Sequence, residues 1–378
     1  MPEKKRDKLQ NIQDDLEGQD LSFLKDWQLD VQSAVCPNCD WAYLIPSELS
    51  INQCPHCFQA HLNPISEGTS ELTYIYPPEK ILPFEVDLNR IRSKLDAFAK
   101  GVWFAPSDLK AASLDARLQK VFYPVWLVDV GVKGIWQAEV GFDYDVVSHR
   151  DRYSDRQGGW VSQEVEETRI RWEPRVGKIS RKYGNIPAPA IEDEIELHKR
   201  LASYDSNSAQ TFQPGLLKNS SVRLPNRSPE DAWPAAVPGV LSAASEECRM
   251  AASADHIRQF QWTPEYDQEQ WTLMLLPMYT SYYLDDENKP RRVFINAQTG
   301  NLSGIRLSSM KRARRISLVI FVIAGVVFGF SALLSAISLL LPALLVAGGI
   351  GFVLAVFTAL VAVVPVGIAW YFNRFSQA

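Results

Sequence analysis

Charge is what one end of this 378-residue chain lacks: from Ile316 to Phe372 there is no Asp, Glu, Lys, Arg or His. A helix pair in a soluble core keeps a polar face, and this run has none. A bilayer crossing takes roughly 20 apolar residues, so the run has room for two passes and not three. Cysteine is scarce as well, five in all, which excludes a disulfide framework and fits a reducing compartment. Histidine is equally sparse, at positions 56, 61, 149, 198 and 256, and no catalytic constellation can be drawn from that scatter. Gly-x4-Gly-Lys-Ser/Thr, His-Glu-x-x-His, Gly-x-Ser-x-Gly and the dinucleotide glycine fingerprint are all missing. With them go the usual sequence signs of nucleotide hydrolysis, zinc proteolysis and acyl transfer. The polar opening Met1-Pro2-Glu3-Lys4-Lys5 is expected to carry no secretory signal.

What is present divides by charge. Residues 1–310 hold 34 basic against 44 acidic side chains, a net of −10 that disfavours general binding of nucleic acid. Lys311, Arg312, Arg314 and Arg315 abut the apolar run, and Arg374 follows it. Positive charge beside a span stays on the cytoplasmic side. The tail is therefore expected to be a two-helix transmembrane hairpin, roughly 316–340 and 343–371 within 316–372, broken near Leu341-Pro342. The expected location is the cytoplasmic (inner) membrane, with two spans and both the N-terminal part and the C-terminus in the cytoplasm. Trp370 and Tyr371 suit an interfacial belt, and Gly325 with Gly329 permits close helix approach.

Four of the cysteines form two Cys-x-x-Cys pairs, Cys36/Cys39 and Cys54/Cys57, with 14 residues between them. This spacing resembles a zinc ribbon, in which two short knuckles offer four thiolates to one tetrahedral ion. One structural Zn2+ on Cys36, Cys39, Cys54 and Cys57 is the expectation. A closed set of four sulfurs leaves no position for a reacting water. Redox-active dithiols would call for a βαβ pattern that is absent here. His56 and His61 are expected at the surface, outside the ligand set, and Cys248 is expected to be a small buried side chain in a helix.

The expected organisation is a flexible polar arm over 1–30, the ribbon over 31–65, an α+β body over 80–310 and the hairpin. Leu88, Ile91, Leu95 and Phe98 predict an amphipathic helix over 87–100, ended by Gly101. Val121–Val130, a glycine turn at Gly131–Gly134 and Ile135–Val140 read as one strand-turn-strand unit. Trp271–Tyr283, the acidic turn Asp285–Asn288 and Arg292–Asn296 read as a second. Laying Pro124 on Pro277 makes them a duplicated unit in a mixed or antiparallel β-rich body. Thr168–Trp172 is a further strand, and 191–204 a helix carrying the acidic run Glu192, Asp193, Glu194 and Glu196. With five prolines, 206–239 reads as an irregular connector, followed by helix in the second half of 230–258.

Taken together, these segments resemble a prokaryotic family of TFIIB-type zinc-ribbon-containing proteins. The resemblance is carried by the cysteine quartet, Leu82-Pro83-Phe84, Trp103-Phe104-Ala105-Pro106, Phe122-Tyr123-Pro124-Val125-Trp126, Arg171-Trp172-Glu173-Pro174 with Gly177, Leu275-Leu276-Pro277 and Ile295–Gly300. It covers most of 33–310. Members often carry the label of primosomal protein N′ or superfamily II helicase, an activity this chain is not expected to have because it lacks a phosphate-binding loop. The resemblance implies association with SPFH-domain (flotillin-like) membrane scaffolds, while the membrane hairpin departs from soluble members.

Three functional readings follow. The leading one is a membrane-anchored zinc-ribbon scaffold or adaptor with no catalysis of its own, contacting lipid and a protein partner. The second is a nucleic-acid-binding ribbon, against which stands the absence of Lys and Arg from 33–63. The third is an enzyme whose site, around Glu139 or Asp129, is assembled from distant residues.

Overall fold

The computed structural model describes residues 27–49, 53–64, 77–154, 159–192, 201, 204–337 and 344–375. In chain order its strands are β1 (Val31–Val35), β2 (Ala42–Pro46), β3 (Asn63–Pro64), β4 (Lys80–Ile81), β5 (Gln119–Ser154), β6 (Gly159–Pro189), β7 (Gln210–Thr211), β8 (Ser221–Arg223), β9 (His256–Leu284), β10 (Pro290–Asn296) and β11 (Leu302–Gly304). The helices are α1 (Leu88–Lys100), α2 (Ala111–Ala116), α3 (Pro229–Ala251), α4 (Met310–Ile337), α5 (Leu344–Val361) and α6 (Val364–Phe375). The architecture is mixed α+β: one large sheet, an N-terminal cysteine cluster and an apolar helical C-terminal tail.

Strand β5 organises the sheet. Val121, Phe122, Tyr123, Val125, Trp126, Leu127 and Val128 are all buried, the pattern of a strand covered on both faces. At its start β5 lies between antiparallel β9, with Val121 opposite Met278, and parallel β8, with Val121 opposite Ser221. From Val125 onward β6 takes the place of β8. Strand β9 accompanies β5 as far as the Gly141–His256 pair; beyond it β5 and β6 run on alone to the Ser154–Gly159 pair. This two-stranded extension is an arm on the order of 40 Å long. On the other side, β8 joins β5 to β2, giving the order β11-β10-β9-β5-β8-β2-β1-β3. The cysteine-bearing hairpin is thus continuous with the body sheet.

The glycine turn expected at Gly131–Gly134 does not form, and β5 passes straight through it. These glycines answer crowding across the sheet. A Cβ on Gly131 would lie 1.9 Å from the Asp267 carboxylate, and one on Gly134 would lie 2.5 Å from the Thr263 carbonyl. Only the second strand-turn-strand unit is a hairpin: β9 and β10 pair from Leu284–Pro290 to Met278–Asn296 around the acidic turn. Its supposed twin lies beside it as a neighbouring strand, with Phe122 opposite Pro277. Thr168–Trp172 falls inside the much longer β6.

Helix α3 begins well before the point expected. Ser228 caps it, its hydroxyl accepting from the Asp231 amide at 3.1 Å, and Pro229 occupies the first turn, where its missing N–H has no cost. Pro234 and Pro238 lie on its exposed side. Ala232, Ala236, Val240, Ala244 and Cys248 recur every fourth residue as a buried stripe, small enough to seat the helix closely on the sheet. Cys248 is buried in a helix, as expected. Helix α1 also forms over the expected range, capped by Asp87 and burying Ile91, Leu95 and Phe98, while Leu88 in its first turn is exposed.

The tail contains two stretches long and apolar enough to cross a membrane, Met310–Ile337 and Leu344–Phe375. The second is interrupted at Ala362–Val363, ahead of Pro365, whose ring removes a backbone donor. The seam between α4 and α5 is made by Gly348 against Ser335 and Gly351 against Ser331, with Phe328 edge-on to Phe352 at 5.0 Å. Gly325 and Gly329 face away from that seam, with nothing within 4 Å of their Cβ positions. Apart from Trp27–Asp30, the arm expected over 1–30 lies outside the described residues, as do most of 191–204 and the Leu341-Pro342 break. Trp27 is 1% exposed, in a cluster with Leu44, Phe122 and Val222.

Candidate metal centre

Two backbone loops of the same design bring the four cysteines together. In the first, the Cys36 amide donates to the Trp41 carbonyl at 3.0 Å and the Asp40 amide to the Cys36 carbonyl at 2.9 Å. In the second, the Cys54 amide donates to Ala60 at 2.9 Å and the Phe58 amide to Cys54 at 3.1 Å. Each loop closes on a left-handed residue, Asp40 at φ 56° and Phe58 at φ 54°. Each aims an amide at its leading sulfur, Asn38 at Cys36 (3.5 Å) and His56 at Cys54 (3.4 Å). The left-handed region is costly for a bulky residue, and Phe58 is kept there from outside. Its ring stacks on Tyr282 at 4.6 Å, and its carbonyl accepts from Gln53 at 2.6 Å.

The four Sγ atoms lie within 4.8 Å of one another, with Cys36–Cys57 at 3.5 Å and Cys39–Cys54 at 3.7 Å. A tetrahedral ion with Zn–S bonds of about 2.3 Å requires sulfur–sulfur edges of about 3.8 Å. The donor set therefore fits a four-coordinate metal ion, and Cys36 and Cys54 are wholly buried. Burial pushes the Cys36 thiol up to about 11. Across the two loops, the hydrogen bond between Cys39 and Cys54 raises the Cys39 thiol and lowers the Cys54 thiol to about 5. A divalent ion takes the place of thiol protons.

Around the cluster, the surface position expected for His56 is overturned. Its side chain is buried and stacked face to face on Trp41, centroids 3.5 Å apart and planes 8° apart. Its Nε2 accepts from the guanidinium of Arg292. Burial, with Arg292 and Arg223 adding to it, pushes the imidazole down to about 3, so the ring is neutral. Trp41 reaches His56 because the first knuckle folds over the second, which the linear spacing does not reveal. His61 is exposed, as expected.

Arg223 is a second cation that sequence reading missed. It is 1% exposed, lies 4.4 Å over the Trp41 ring and donates to the Ala42 carbonyl at 2.9 Å. It makes no ion pair among the described residues, and its Nε is unpartnered. Tyr43 links it to the sulfurs, its ring 5.9 Å from the guanidinium and its hydroxyl 4.0 Å from Cys54 Sγ. Burying a lone cation is costly, and a thiolate cluster bearing net negative charge would compensate it. The carboxylates considered for catalysis lie elsewhere: Glu139 pairs with Arg258 at 2.6 Å, and Asp129 accepts from the Asn185 amide at 2.7 Å.

The same hairpin that supports the second knuckle also holds the tail. Tyr282 and Arg292 are cross-strand partners on β9 and β10, touching Phe58, Gln53 and His56. A few residues on, Asp286 accepts from the start of the tail, from the Ser309 hydroxyl at 2.6 Å and the Lys311 amide at 2.9 Å. Ser309 in turn caps α4, its hydroxyl accepting from the Arg312 amide at 3.0 Å. Tyr283 donates to the Ile305 carbonyl at 2.8 Å and accepts from the Leu307 amide at 3.0 Å. Asn373, near the end of α6, grips both the amide and the carbonyl of Ser308, at 2.7 and 3.0 Å. Asp285 and Asp286 were legible as turn residues; the clamp role of Asp286 was not. Comparison of the chain with family models, curated proteins and solved structures returned no match.

Proposed function

We propose that this chain is a membrane-anchored zinc-ribbon scaffold or adaptor, in which one structural Zn2+ on Cys36, Cys39, Cys54 and Cys57 fixes the surface where the body meets the bilayer. The observation that carries the reading is the β9–β10 hairpin, which bears the second knuckle on one part and the start of α4 on another. A metal so placed stiffens the joint. Four sulfurs leave it no open position for chemistry. The bonds between Asn373 and Ser308 support a topology with both ends of the tail on one side of the membrane. With the basic cluster at that end, the reading puts the body in the cytoplasm.

Support for protein assembly comes from the arm and the stretch of sheet leading to it. Ile135, Tyr144, Val147, Ile170 and Val176 are exposed along β5 and β6. Among the described residues the outer edge of β6 pairs with no other strand, so another chain can add to it. An SPFH-domain scaffold is the partner class the family resemblance implies. The nucleic-acid alternative draws little from the cysteine region, where Arg223 is buried and Arg292 is engaged by His56. The test is affinity purification of the full chain from solubilised membranes, with zinc measured in the same sample. One zinc per chain and a reproducible protein partner are expected. Repeated recovery of the chain alone would remove the adaptor reading.

A further inference from the structure

We propose that the loop Val102–Pro106 is a third membrane contact, with Trp103 seated in the lipid headgroup layer at the foot of α4. The inference rests on the reading of α4–α6 as bilayer-spanning. Among the described residues, two tryptophans are exposed: Trp370, in the tail, and Trp103, which is 67% exposed in the body. An indole left open to water is the kind of amphipathic ring that the membrane interface accepts.

The loop is held rigidly in that place. Val102 is buried under it, and Phe104 turns the chain through the left-handed region at φ 54°, an unusual conformation for an aromatic residue. The turn hands three successive carbonyls to the first residues of the tail. The Ser308 hydroxyl donates to Trp103, the Ser309 amide to Phe104 at 2.8 Å and the Arg312 guanidinium to Ala105 at 2.7 Å.

Depth follows from these bonds. Ser308 is bonded to both Trp103 and Asn373, and Trp370 and Tyr371 precede Asn373 by less than a helical turn. The Trp103 carbonyl is therefore one residue, Ser308, removed from the turn of α6 that carries the aromatic pair expected at the interface. Helix α4 has 28 residues. That is about 42 Å of helix, and a bilayer with its headgroups is about 40–45 Å thick. The first turn of α4 thus falls at the headgroup level. Arg314 and Arg315, exposed in the first two turns of α4, have no carboxylate partner among the described residues, leaving them for lipid phosphates.

The test is fluorescence of the full chain reconstituted in vesicles of phosphatidylcholine and phosphatidylglycerol, with acyl chains brominated near the headgroup or left unbrominated. Bromine quenches the tryptophans it reaches, and the single variants Trp103→Phe and Trp370→Phe identify them. Loss of quenchable emission in Trp103→Phe, comparable with the loss in Trp370→Phe, is expected. Unchanged quenching in Trp103→Phe alongside a loss in Trp370→Phe would overturn the loop contact and leave the spanning tail intact. Quenching absent from the wild-type chain would overturn the spanning tail and the loop contact together.

Discussion

The base of the sheet and the three-stranded stretch that leads to its arm share strands β5 and β9 under opposite rules. At the base each strand residue is met by several elements: Tyr282 carries Phe58 and Gln53, Arg292 carries His56, and Arg223 lies against Trp41 and Tyr43. On the open face of that stretch, polar contacts are pairwise across neighbouring strands, as in Lys133 with Asp267, Gln137 with Gln261 and His256 with Asp143, all exposed; its other face is covered by α3. A side chain deleted from the open face is replaced by water. One deleted from the base leaves a buried group without its partner, which is where substitutions become expensive.

The comparison is broken most directly at the sulfurs. Cys36→Ser should abolish stoichiometric zinc and unfold the knuckles while the tail still inserts; structural zinc in small sites contributes about 10–16 kcal/mol of apparent binding energy. Zinc content of the purified variant checks it, and an unchanged value would refute the ligand set. Arg223→Met comes next, with an expected loss of about 10–100-fold in zinc affinity by chelator competition. Arg223→Lys should recover part of that loss if positive charge is what matters.

Asp286→Ala sharpens the comparison at the joint. Removing a helix-capping acceptor costs about 0.5–2 kcal/mol, read as faster hydrogen exchange at the Lys311 and Arg312 amides. Acid should act on the same hairpin. Burial alone would raise the Asp285 carboxyl, but the Lys289 amide, Arg291 and the Glu287 amide outweigh it and hold it below the ordinary 3.8. A lowered folded value stabilises above the unfolded value and is lost as pH falls through that range. Melting temperature should therefore drop below about pH 4, and Asp285→Asn should flatten that limb. The smallest effect belongs to the open face of the three-stranded stretch: Val176→Thr, at a side chain 74% exposed, should change stability by no more than about 0.5 kcal/mol.

Much of this was legible where one residue type has one strong use. The cysteine spacing located the metal-ligand candidates, and the missing charge after Ile316 located the tail. Gly131–Gly134 misled because glycine marks both turns and close strand approach, and only the facing Asp267 and Thr263 separate the two. Pro234 and Pro238 hid the first half of α3, although the Ala232–Cys248 stripe of small residues every fourth position was readable in the chain. His56, Arg223 and Arg292 were beyond reach because their surroundings come from segments far apart in sequence: the His56–Arg292 contact spans 236 residues and the Arg223–Ala42 contact 181.

Asn373 and Ser308 stand 65 residues apart and meet in a reciprocal pair. Everything between them is synthesised before the latch can shut. A chain cut short anywhere in α5 or α6 would leave the Ser308 amide and carbonyl without that partner, while the body and its cysteines would already be complete. The last turn of α6 thus fastens the tail back to the body.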